Sequence, residues 1–135
     1  MRTILNISEA AVIGLHAVDL MGREPEKLHS AAGIAGNLGV SYNHLSKILQ
    51  RLTKAGFVTP LRGPRGGFTL AGKTGGSTLK DIFEAIEGPL VFSDCLMGIR
   101  VCGRKNCGVS RLLADTNRRF EKMLAQKVSD FAKSR

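Results

Sequence analysis

The 135-residue sequence has no tryptophan, one tyrosine and six phenylalanines. Only Tyr42 is available as a polar aromatic platform, which counts against a reader of unpaired RNA, whose bases stack on exposed aromatic side chains. Acidic residues are missing from one long stretch. From Lys27 to Lys80 there is no Asp or Glu, while Lys27, Lys47, Arg51, Lys54, Arg62, Arg65, Lys73 and Lys80 all carry positive charge. The surplus of 20 Lys and Arg over 11 Asp and Glu, a net charge of +9, resides essentially there, so a polyanionic partner is expected. No apolar run approaches the roughly 18 to 20 residues of a membrane span. The first twenty residues, interrupted by Asn6, Ser8, Glu9, His16 and Asp19, lack the pattern of a secretory signal, so a cytoplasmic protein is expected. Cysteine is scarce and odd in number. Cys95, Cys102 and Cys107 crowd into one segment, which suits a reducing compartment and a ligand cluster better than a disulfide framework. At this length a large multidomain enzyme is not expected, and no acid/base pair or nucleophile triad is readable.

What is present is mostly helical. Ala11, Val12, Leu15 and Val18 lie at helical spacing behind Ser8, a cap candidate, and Gly22 closes that helix. Leu28, Ala31, Ala35 and Leu38 predict a second helix ending at Gly39. Ser41 can cap a third, with Leu45, Ile48, Leu49 and Leu52 on its apolar stripe and Asn43, Lys47, Gln50 and Lys54 opposite. Residues 57–62 and 67–71 alternate like strands around Gly63-Pro64-Arg65-Gly66, a hairpin with a basic, glycine-rich tip. Residues 72–76 read as a linker. Ser77 can cap a helix over 78–87 that Gly88-Pro89 ends, and residues 110–131 carry the stripe Leu113, Phe120, Leu124, Val128 and Phe131 of one long amphipathic helix.

Two short helices meeting at Gly39, a third helix with a polar and basic face, and an arginine-tipped hairpin make a winged helix-turn-helix over residues 1–76. Residues 77–135 form a cysteine loop and a long C-terminal helix. The expected fold is mostly α with a small β-hairpin wing. Such a helix fits the major groove of double-stranded DNA, and wing arginines meet the minor groove or phosphates. Asn43 and Gln50 can read adenine, and Ser41, Tyr42 and Ser46 can bond phosphate or bases. Lys47, Arg51, Lys54, Arg62 and Arg65 supply charge, and His44 is a helix-surface or DNA-facing group. The glycine-rich tip lacks the Gly-Lys-Ser/Thr ending of a nucleotide loop.

Cys95-x6-Cys102-x4-Cys107 has the crowding of a metal site, and Arg100, Arg104 and Lys105 would offset the negative charge of thiolates on an iron–sulfur cluster. Three thiolates leave a fourth position. No histidine lies near, Glu9 is the favoured carboxylate, and Asp94 and Ser110 compete locally. Cysteines without a cofactor, acting as a thiol switch, are the alternative.

The stretches 43–52, 54–58, 62–71 (Arg-Gly-Pro-Arg-Gly-Gly-Phe-Thr-Leu-Ala) and 82–89 (Ile-Phe-Glu-Ala-Ile-Glu-Gly-Pro) resemble the Rrf-two family of bacterial winged-helix transcription regulators. The likeness covers nearly the whole chain. It implies a homodimer held by the C-terminal helix, a dyad-symmetric operator, and a cluster of the 2Fe-2S or 4Fe-4S type on Cys95, Cys102 and Cys107 that modulates DNA affinity. The expected function is a transcription regulator, a repressor, whose cluster senses nitric oxide, redox or iron-sulfur status. In the family the fourth ligand is a histidine shortly after the third cysteine or an acidic residue near the N-terminus given by the partner subunit; Glu9 matches the second. Asn43-His44-Leu45 leans towards the family's nitric-oxide sensors, and Ser46 stands where many relatives carry Glu. Dimerisation also follows from physics, since one small winged helix makes too few contacts for specificity.

Overall fold

The computed structural model describes residues 7–95 and 103–134. Helix α1 (Glu9–Arg23) starts where the Ser8 hydroxyl accepts the Ala11 N–H at 3.1 Å. Helix α2 (Ala31–Leu38) is capped the same way by Ser30 and ends at Gly39, whose φ of +65° favours glycine. Helix α3 (Tyr42–Lys54) begins with Ser41 accepting the His44 N–H at 3.1 Å. Strands β1 (Val58–Leu61) and β2 (Gly67–Leu70) pair antiparallel, Val58 opposite Leu70 and Leu61 opposite Gly67. Helices α4 (Leu79–Glu87), α5 (Gly108–Leu124) and α6 (Val128–Lys133) follow. The mostly helical fold with one hairpin is as expected from the sequence.

Helix α1 runs through Gly22 to Arg23, and α5 begins at Gly108, two residues before the expected start. Four further differences each have a visible reason. The second helix starts at Ala31, not Leu28, because His29 is held extended: it exchanges backbone hydrogen bonds with Phe68 at 2.9 and 2.7 Å. Residues Thr74–Gly76 form a 3₁₀ turn rather than an open linker, and the buried Thr74 hydroxyl donates to the Phe57 carbonyl at 2.6 Å. Helix α4 is capped by Thr78, which with Asp81 makes a reciprocal capping box, while the Ser77 hydroxyl donates to the Lys73 carbonyl. The C-terminal helix is two helices, because Gln126 and Val128 make backbone bonds of 3.0 and 2.9 Å to Leu79 and Ser77 across the break.

One core joins these elements. Leu45, Ile48, Leu49 and Leu52 of α3 bury their stripe against α1 and α4, and Leu124 and Val128 close it from the C-terminal side. At Gly14 helix α1 comes so close to Ile86 of α4 that a Cβ has no room. The outward face of α3 is thereby fixed by burial of its inner face.

Candidate nucleic-acid interface and cysteine cleft

On α3, Asn43, Lys47, Gln50 and Lys54 are exposed, and Tyr42 is 56% exposed at the helix start. His44 and Ser46 are half-buried, and the Ser41 hydroxyl is occupied as the cap. The basic groups divide sharply by what they touch. Lys47, Lys54, Arg62 and Arg65 are exposed and bond no protein group among the described residues. Arg51 instead donates to the Ile86 carbonyl at 3.1 Å. Lys73 donates to the Ala55 carbonyl at 3.4 Å and lies 4.9 Å from the Phe57 ring centroid, so it serves the end of α3. Lys27 and Lys80 are ion-paired with Glu24 and Glu84.

Arg62 and Arg65 stand on the wing tip, shaped by its glycines. Gly63 has φ +119°, Gly66 packs on the Leu61 carbonyl, and Gly67 packs on the His29 carbonyl. A side chain at Gly66 or Gly67 would collide with backbone. His29 is the residue that sequence reasoning missed: its extended backbone ties the entry of α2 to the wing, and its ring meets the Glu24 carbonyl at 3.2 Å. The available signal was Ser30, a cap candidate directly after it.

Cys95 and Cys107 stand half-buried in one cleft of about 470 Å³ together with Asp94, Arg104, Lys105, Ser110 and Arg111. Cys102 lies outside the described residues. Cys107 is the residue from which α5 starts. The backbone N–H and then the hydroxyl of Ser110, the Val109 N–H and the Arg104 charge hold its thiol below the ordinary value. The Ser93 hydroxyl accepts the Cys95 N–H, and Asn117 of α5 donates to the Ser93 carbonyl at 3.0 Å, so both cysteines are anchored to α5. Among the described residues no three His, Cys, Asp or Glu side chains converge. Asp94 and Ser110 line the cleft, whereas Glu9 sits on the first turn of α1 and is not part of its lining. Two thiols among three cationic side chains fit a thiolate-bound cluster and equally fit a reactive thiol.

Residues 7–133 match the Rrf2 family, described as iron-dependent transcriptional regulators. The chain belongs to the Rrf2 family. A curated relative, the HTH-type transcriptional regulator BadM of Rhodopseudomonas palustris, is 35% identical over 83 residues, which are 62% of this chain and 53% of BadM. The chain thus spans about half the length of the curated relative it matches. Among solved structures it is similar to CymR, the global cysteine regulator of B. subtilis, with a TM-score of 0.74, 23% identity and coverage of 98% of this chain and 97% of that one. It is also similar to T. potens IscR, with a TM-score of 0.70, 24% identity and coverage of 96% and 88%. These likenesses show the winged-helix fold of Rrf2 regulators. Rrf2 is a family of regulators, in agreement with the expectation that the chain is not an enzyme. Among the described residues no helix is long and apolar enough to cross a membrane.

Proposed function

We propose that this Rrf2 chain is a cytoplasmic, DNA-binding transcriptional regulator, a repressor that grips a dyad-symmetric operator as a homodimer. Its affinity is set at the cysteine cleft, by an iron–sulfur cluster held by Cys95, Cys102 and Cys107 with Glu9 of the partner subunit as fourth ligand. The observation that carries DNA binding is the set of four uncommitted cations, Lys47, Lys54, Arg62 and Arg65, in a stretch without acids. Asn43 and Gln50 offer amides to adenine edges, Lys47 and Lys54 reach phosphates, and the wing arginines reach a narrow minor groove or the backbone. Self-association is supported by Val109 and Leu112, which are 44% and 64% exposed on the first turns of α5.

When bound, a cluster supplies a centre that reacts with oxidants or nitric oxide. The chain's own part is to hold thiolates in a cationic cleft and to link that cleft to α5 through Cys107 and Asn117. Selection of duplexes from a random pool by the full chain tests DNA binding. A palindromic site bound about tenfold or more weaker by Lys47→Ala and Arg65→Ala is expected; failure to enrich any duplex refutes the reading.

A second reading, a cofactor-free thiol switch, is favoured by the lowered Cys107 thiol. The similarity to S. aureus CymR, solved in an oxidized form, is in keeping with it. Iron and sulfide counts after anaerobic purification decide between the two. About two or four of each per chain mean a cluster, and none, with peroxide-dependent operator binding, means a thiol switch.

A further inference from the structure

Arg51 belongs by sequence to the basic face of the recognition helix, yet its guanidinium is turned to the end of α4. The Ile86 carbonyl it meets at 3.1 Å lies in the last turn of that helix, where carbonyls lack intrahelical partners and carry the negative end of the helix dipole. A charged donor satisfies such a carbonyl well.

Three other connections converge on the same turn. The Glu87 carboxylate takes the Ser8 hydroxyl at the start of α1, the Glu84 carboxylate takes the Leu90 N–H at 3.3 Å, and Gly88, with φ +84°, turns the chain towards Cys95. The Ile86 side chain is wedged at Gly14, so the end of α4 is braced against α1 on its apolar side. The segment leading to Cys95 thus leaves α4 at a turn to which α3 is tied by Arg51.

We propose that Arg51 is a positioning residue that transmits the state of the cysteine cleft to the recognition helix, and is not a phosphate contact. The inference rests on the reading that the cysteine cleft controls operator affinity.

The test uses full-length wild type, Arg51→Met and Arg51→Lys, and a duplex selected by the wild type from a random pool. Affinity and its salt slope are measured for reduced metal-free protein, protein reconstituted with ferrous iron and sulfide, and peroxide-treated protein. The wild type is expected to differ between states by roughly 5- to 150-fold. In Arg51→Met, the ratio should collapse to within about twofold while the salt slope stays that of wild type. Arg51→Lys keeps the charge but not the planar fork, and should lose the ratio too. Without DNA, hydrogen exchange of the α3 amides should differ between states in wild type and not in Arg51→Met. Arg51 is exposed and Met is a good helix former, so the variants should fold. A retained ratio with a flatter salt slope makes Arg51 a phosphate contact, and a retained ratio with lower thermal stability makes it a plain brace; either overturns the proposal alone. A wild type indifferent to all three states overturns cysteine control itself, and the proposal with it.

Discussion

The division of the basic groups gives a number that a salt titration can check. Of the eight positive residues from Lys27 to Lys80, Lys27 and Lys80 face carboxylates at 2.9 and 3.7 Å, and Arg51 and Lys73 donate to backbone carbonyls. That leaves Lys47, Lys54, Arg62 and Arg65 to displace counterions from DNA. Two copies on a dyad operator would neutralise about eight phosphates, for a slope of log K against log salt of about −7. Affinity should then fall by about 10⁴-fold between about 50 and 200 mM salt. Lys47→Ala or Arg65→Ala removes one contact per chain and should flatten the slope by about 2, whereas Lys73→Met should leave it unchanged. Fluorescence anisotropy with the selected duplex across salt concentrations measures all three. A slope steeper than about −10, or a Lys73→Met variant as flat as Lys47→Ala, would refute the assignment of charges by their internal partners. A slope near −4 would mean that a single copy binds.

Gly67→Ala places a methyl group against the His29 carbonyl and should break the pairing of His29 with Phe68, costing about 1 to 3 kcal/mol in urea unfolding and weakening operator binding more than Gly72→Ala, where a Cβ meets open space. Thr78→Ala removes one half of the α4 capping box and should cost about 1 kcal/mol by the same assay. The Cys107 thiol, held low by Ser110, Val109 and Arg104, should be alkylated by iodoacetamide with a midpoint below the ordinary thiol value of about 8.5, by peptide mass spectrometry. Since the folded value is the lower one, this group's stabilisation of the fold is present above the unfolded thiol's value and fades as pH falls through the folded one. Unfolding in urea should return the midpoint to the ordinary range, and Ser110→Ala should raise it in the folded chain.

Local signals were readable where a side chain does its work within a few residues of itself. The caps Ser8 and Ser41, the αL glycine at 39 and the apolar stripe of α3 all act inside one helix, and the sequence pattern located them. The boundaries that shifted are those decided by a distant partner. Leu28 fits the periodicity of α2, but Phe68 holds the next residue extended and Ser30 restarts the chain. The stripe Leu124, Val128 and Phe131 is uninterrupted in sequence because α6 still turns that side inward after the break, so periodicity has no mark where the backbone leaves the helix to pair with residues 77–79. The same distinction governs the candidate site. Composition locates the basic segment, yet composition weighs Arg51 and Lys73 equally with Lys47 and Arg65, and only the carbonyls of Ile86 and Ala55 separate those that hold the protein together from those left for a ligand. Net charge therefore indicates the class of partner, while the internal partners of each cation determine how many contacts that partner can receive.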